Sequence, residues 1–304
     1  MRKNKLCQGV VVPMVTPFTE RGKVDLGAAE KITSYLLEND AFPFILGTTG
    51  ESLSIPHNER LPFVKTILKA VEGKKMIYVG IGNLCVEDSV RDGRAYLDAG
   101  AGVVVAHLPS YYSLTPDQMK MYFEYLAENI PGPLMVYNIT ATTHMSIPID
   151  VVKHLSEHPN IIGIKDSERD VDRLESLIKY CAPREDFSHL IGWGTKSLYA
   201  LSLGSDGLVP STGNVVPGLF TRLYNAVRDE DFGTAEELQQ LTDTIADIYQ
   251  KGRTLGESLA ALKVMMQLKG LCDPHMLSPL TRLSSGEEHE IQNAFRTIPE
   301  LYSA

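Results

Sequence analysis

Lys165, Tyr137 and the run Gly47-Thr48-Thr49-Gly50-Glu51 are the residues of this chain whose types and placement suit chemistry at a carbonyl carbon. Each ends or follows a short apolar run that reads as a strand, the position from which helix-covered parallel barrels present their reacting groups. Lys165 closes Ile161-Ile162-Gly163-Ile164-Lys165. With a two-residue period it shares a face with Gly163 and Ile161, whereas Ile162 and Ile164 point the other way, toward the helices. A lysine held in a partly dry mouth has its charged form disfavoured, which leaves free amine to attack a ketone. The plain alternative is a lysine that leaves the strand for solvent.

Tyr137 closes Leu134-Met135-Val136-Tyr137 one unit earlier, so its ring should stand beside Lys165. Its phenol could give and take the protons that carbinolamine dehydration and enamine formation move. Equally, it could cap the core with a satisfied hydroxyl. The turn at 47–51 combines two glycines, two hydroxyls and exposed amides before a helix start, which suits a carboxylate. The same composition also serves ordinary helix capping.

The elements that would position these groups alternate along the chain. Strand-like runs fall at 9–14, 44–46, 76–80, 102–106, 134–137, 161–165, 188–192 and 207–210. Helical patterns lie between them at 25–38, 58–72, 86–99, 115–128, 148–157, 171–181, 195–203 and 217–227. Continuous apolar strands such as Val103-Val104-Val105 suit a parallel sheet covered by helices. Eight βα units in succession predict an α/β fold of the (β/α)8 TIM-barrel type. A doubly wound open sheet is the alternative, but no Gly-x-Gly-x-x-Gly turn follows the first strand. Beyond residue 228 the strands stop, and 232–250, 255–268 and 287–297 read as three more helices. The expected organisation is a barrel over 1–228 and a helical extension over 229–304 packed on it.

A net charge of −9 supplies no basic field for a phosphate backbone, and no Lys/Arg stripe interleaves with aromatics, so nucleic acid is not an expected partner. An anionic substrate must instead be held by local donors. Cys7, Cys85, Cys181 and Cys272 form no Cys-x-x-Cys pair and read as reduced thiols of a cytoplasmic protein. Residues 1–8 are basic, but the apolar run after them is broken by Pro13 and is too short for a signal-peptide core; nothing approaches a membrane span.

These residues resemble those of the pyruvate-dependent lyases that include dihydrodipicolinate synthase and N-acetylneuraminate lyase. The resemblance runs from Pro13-Met14-Val15-Thr16-Pro17-Phe18 to the C-terminal helices. Its most specific pieces are Gly47-Thr48-Thr49-Gly50-Glu51, Tyr111-Tyr112, Tyr137-Asn138 and Gly163-Ile164-Lys165-Asp166-Ser167, in the family's order and approximate spacing. It implies that Lys165 forms a Schiff base with a 2-keto acid and that Tyr137 relays protons. Thr48, Thr49 and Gly47 would hold the carboxylate, Thr48 would also link the relay, and the Val209 carbonyl would lie near the imine. Tyr112 would enter a neighbouring subunit's site, which implies a homodimer or homotetramer. No external cofactor is called for, because the protonated imine on Lys165 is the electron sink.

Departures from that pattern concern the second substrate, an aldehyde. Dihydrodipicolinate synthases place an arginine shortly after the Tyr-Asn pair, where it grips a carboxylate. Here Thr142 takes that position, within Ile139-Thr140-Ala141-Thr142-Thr143-His144, and Leu84 stands where the lysine-inhibitor site usually has asparagine. The acidic residues that hold sugar hydroxyls in N-acetylneuraminate lyases are replaced by Gly192-Trp193-Gly194-Thr195. Trp193 could wall the site and His144 could add a hydrogen bond; both could instead be packing. Substrate choice is therefore expected to differ from both members. Two rival readings are a metal-dependent barrel using His107, His144 and Asp166, and a catalytically retired barrel that senses a keto acid.

Overall fold

A computed structural model describes residues 5–299. Residues 1–4, within the basic start, and residues 300–304 of the expected C-terminal extension lie outside the described residues. Eight parallel strands pair in chain order and close on themselves: β1 (Gly9–Pro13), β2 (Phe42–Ile45), β3 (Tyr78–Gly80), β4 (Val103–His107), β5 (Leu134–Asn138), β6 (Ile161–Asp166), β7 (Ser188–Ile191) and β8 (Gly207–Leu208). Closure is made by Gly9↔Gly207 and Val10↔Leu208, so no strand edge is left open. The chain is a (β/α)8 barrel with C-terminal helices.

The helices are α1 (Leu26–Glu38), α2 (His57–Val71), α3 (Val86–Asp98), α4 (Pro116–Asn129), α5 (Thr140–Thr143), α6 (Ile149–Leu155), α7 (Val171–Cys181), α8 (Ser197–Leu203), α9 (Pro217–Arg228), α10 (Phe232–Gln250), α11 (Leu255–Leu268) and α12 (Ser285–Arg296). Their starts follow capping chemistry. Thr115 with Gln118, Thr254 with Glu257 and Ser284 with Glu287 form reciprocal capping boxes, which satisfy otherwise orphaned amides. The single turn α5 has no counterpart among the predicted helices, because four residues of Thr-Ala-Thr-Thr carry no readable period.

Two apolar layers result. Val11, Phe44, Tyr78, Val103, Val105, Met135, Tyr137, Leu190 and Val209 fill the barrel, while Val12, Val79, Val104, Val136, Ile164 and Leu208 pack outward on the helices. Strand β6 departs from strict alternation. Leu134 pairs with Ile161 but Met135 pairs with Gly163, so Ile162 is an extra residue in a bulge. The expected faces of Ile161 and Ile162 are consequently exchanged: Ile161 joins the outer layer and Ile162 packs against the inner cluster. Beyond the bulge Ile164 is outward, as the two-residue period predicts.

Helix α10 lies against α8 and α9, and α11 packs between α10 and α12. Every residue from Ser258 to Met266 of α11 is buried. A helix covered on all sides belongs to a core, and α11 carries one charged side chain, Lys263, into it.

Candidate active site

Tyr137 and Lys165 stand directly opposite one another in the β5–β6 ladder, and His107 stands opposite Tyr137 on β4. The Lys165 Nζ lies 3.9 Å from the centroid of the Tyr137 ring and 4.8 Å from that of Phe44. Tyr137 meets Phe44 and His107 edge to face, at 6.5 and 6.3 Å between centroids. Lys165 is only 4% exposed. Burial pulls its ammonium below the ordinary lysine value, and the neighbouring Tyr137 phenol opposes that shift. Among the described residues no carboxylate pairs with Lys165, and two aromatic faces lie against it, surroundings that favour a free amine over an ammonium.

The turn after β2 begins where Leu46 takes a positive φ of 54°, which ends the strand one residue before the predicted limit. Gly47 and Gly50 leave little room for a side chain. A Cβ on Gly47 would lie 3.0 Å from the Phe44 ring, and one on Gly50 would lie 3.1 Å from the Met14 carbonyl oxygen. Thr48 and Thr49 are half-buried, and Glu51 closes the turn in the left-handed region at φ 53°. Glu51 is held from the C-terminal helices. Lys263 Nζ of α11 donates to its Oε1 at 2.5 Å and to the His275 carbonyl at 2.8 Å, while the Leu277 amide donates to Oε2 at 3.2 Å. The Phe18 ring covers the Lys263 ammonium at 4.1 Å. Sequence reasoning passed over Lys263; its one available signal was a lone charge inside an unbroken apolar helix.

A second supporting network was also unforeseen. Asp166, on the outward face beyond Lys165, accepts from Asn138 Nδ2 at 3.1 Å, from the Glu168 amide at 2.9 Å and from Arg173 Nε at 2.8 Å. Asn138 Oδ1 accepts the Ile147 amide, and Arg173 Nη1 donates to the Ile147 carbonyl. Burial pushes the Asp166 carboxyl up, against the Arg173 guanidinium and these donors. The residues that directly follow Tyr137 and Lys165 thus bind the two strand ends to each other and to the segment after α5. The signal was available in sequence, since both are polar residues placed immediately beyond Tyr137 and Lys165.

The other predicted site residues lie on separate elements. Val209 is buried in the inner cluster, its amide donating to the Ile191 carbonyl at 2.7 Å. Thr142 is half-buried in α5, and His144 is exposed at its end with φ 58°. Trp193 is half-buried and packs on the outer layer, with Lys196 Nζ 5.7 Å from its ring. Tyr112 is 73% exposed and touches Tyr111 edge to face at 4.9 Å. The residues named for a metal reading do not converge: His107 faces the barrel mouth, Asp166 faces Arg173 and His144 faces solvent. Among the described residues no group of three His, Cys, Asp or Glu side chains could hold an ion. Among the same residues no helix is long and apolar enough to cross a membrane.

The model of the dihydrodipicolinate synthetase family matches residues 6–298. An uncharacterised DapA-like lyase of Pyrococcus abyssi is 30% identical over 298 residues, covering 97% of this chain and 99% of the relative. Among solved structures, dihydrodipicolinate synthase of Bacteroides thetaiotaomicron superposes with a TM-score of 0.91 at 27% identity, over 97% of this chain and 100% of that one. YagE of Escherichia coli K12, a prophage protein of the dihydrodipicolinic acid synthase family solved in complex with pyruvate, gives 0.90 at 26% identity, over 98% and 100%.

Proposed function

The chain belongs to the dihydrodipicolinate synthetase family and is a lyase of that family, and on this basis we propose that Lys165 forms a Schiff base with pyruvate or a related 2-keto acid. The observation that carries the reading is the burial of Lys165 against the Tyr137 ring, with its amine pulled toward the neutral form.

In the proposed cycle the Lys165 amine adds to the ketone carbon, and the carbinolamine loses water to leave a protonated imine. Thr48, Thr49 and the amides of the turn hold the carboxylate, with Gly47 and the Val209 carbonyl alongside. Tyr137, linked through Thr48 and assisted by Tyr112 from a neighbouring subunit of a homodimer or homotetramer, removes a proton from the adjacent carbon. The enamine so formed adds to an aldehyde carbon, whose oxygen takes up a proton, and water then releases the product from Lys165. Run in reverse, the same steps cleave a longer 2-keto acid.

Thr142, standing where the synthases carry arginine, supports an aldehyde partner without a carboxylate rather than the partner used in lysine biosynthesis. The mechanism is tested by borohydride reduction of the protein with pyruvate followed by peptide mass spectrometry. The expected adduct is on Lys165, and an unmodified Lys165 in the treated protein would sink the assignment. Deuterium uptake into the pyruvate methyl group separates a turning-over enzyme from a retired keto-acid sensor, which would bind without exchange.

A further inference from the structure

The Schiff-base cycle gives no task to His107, a polar side chain at the barrel mouth. His107 ends β4 on the inner face shared by Val103 and Val105, with its ring against Tyr137 at 6.3 Å and an interplanar angle of 76°. Its Nδ1 lies 2.8 Å from the Leu108 carbonyl oxygen. A carbonyl only accepts, so Nδ1 carries the proton and Nε2 of the neutral ring is an acceptor. Burial holds the imidazole below its usual value; the Leu108 carbonyl opposes this and the Lys165 charge adds to it.

Nε2 has no donor among the described residues. The Nε2 of His189 is likewise without a partner but is sealed in the outer layer, whereas that of His107 stays reachable. Room for the ring comes from Gly82, where a Cβ would fall 2.1 Å from Nε2. Gly82 lies two residues past Gly80 of β3, so that Cβ would itself point into the mouth. The acceptor therefore lies on the substrate side of the barrel wall.

Resting on the Schiff-base reading, we infer that His107 contacts the substrate, its Nε2 accepting a hydrogen bond from a hydroxyl on the aldehyde half. The carboxylate end is assigned to the turn after β2 and the ketone carbon to Lys165 on β6. His107 stands on the far side of Tyr137 from Lys165, facing what extends beyond the bond being made. A lone pair there repels a carboxylate and rewards a neutral donor, the preference that Thr142 in place of arginine also sets. The substrate class is a 2-keto acid whose non-keto half is a hydroxylated, uncharged fragment.

The test compares kcat/KM for condensation of pyruvate with glycolaldehyde and with acetaldehyde, which differ by one hydroxyl. Wild-type protein should prefer glycolaldehyde. His107→Leu should lose about tenfold on glycolaldehyde and little on acetaldehyde, and His107→Gln, whose amide oxygen accepts, should recover part of the loss. Gly82→Ala, which displaces Nε2, carries the same expectation should the leucine variant fail to fold. Borohydride trapping with pyruvate is run on every variant. A full adduct with no hydroxyl preference in the wild type, or a preference retained by the leucine variant, overturns this inference alone. A wild type that yields no adduct overturns the Schiff-base reading and this inference with it.

Discussion

Lys263 and Glu51, 212 residues apart in sequence, form an ion pair at 2.5 Å with neither side chain exposed. The pair joins the innermost C-terminal helix to the turn that carries Thr48 and Thr49, at a residue whose left-handed backbone is uncommon outside glycine. Lys263→Met should leave the carboxylate buried without a counter-charge and cost about 3–5 kcal/mol in urea unfolding. Adding Glu51→Gln should return much of that stability. The single variant should also raise the KM for pyruvate more than it lowers kcat, and an unchanged KM would detach the helix from the turn's function.

Lys165 should weaken the fold it serves. Its folded-state pKa lies below the value of 10.5 that an unburied lysine has. Below the folded pKa, folding must desolvate a charge and the penalty is complete. Between the two values the unfolded chain binds more protons, so stability rises with pH until the penalty is gone near 10.5. Lys165→Met should therefore be more stable than wild type at neutral pH, with the difference shrinking toward pH 10.5, while activity falls by more than about 10³-fold. Denaturation curves across that range that run parallel for the two proteins would contradict the buried, depressed amine.

Tyr137→Phe keeps the ring under Lys165 and its edge contacts with Phe44 and His107 and removes only the hydroxyl. The expected result is a kcat loss of about 10²–10⁴-fold, with pyruvate still trapped on Lys165 by borohydride. Wild-type rates of deuterium uptake into the pyruvate methyl would remove Tyr137 from the proton relay.

Thr142→Arg restores a guanidinium at the position where the synthases have one. The variant should gain roughly tenfold or more in kcat/KM with aspartate semialdehyde, against slow turnover by the parent. Fast turnover by the parent itself would defeat the argument from Thr142.

How far the sequence reveals this molecule depends on how local each cause is. The strands around Val103-Val104-Val105 and the helix starts at Thr115 and Thr254 are written in adjacent residues and lie where the pattern puts them, whereas the last helix begins after Ser284, ahead of the expected 287. The facing of Tyr137 and Lys165 follows from two apolar runs that each end in a polar residue. The Ile162 bulge could not be foreseen, because it is a property of the pairing between β5 and β6 rather than of either strand. Lys263 and Arg173 escaped notice for a related reason: their partners, Glu51 and Asp166, become neighbours only after the barrel closes. For Trp193 and His144, singled out for their chemistry, no contact with Lys165 is found among the described residues; Trp193 packs on the outer layer and His144 is exposed.

The surplus residue in β6 acts as a phase switch. Upstream of it odd-numbered positions belong to the helical jacket, and downstream the odd-numbered Lys165 belongs to the interior. Excising Ile162 while Ile161 kept its packing would leave a plain one-to-one ladder, Ile161 opposite Leu134 and Gly163 opposite Met135, with Lys165 still turned toward the lumen. The surplus position is thus spare to the facing of Lys165 and serves the lumen instead, where it adds the Ile162 side chain to the inner cluster while Ile161 packs on the helices.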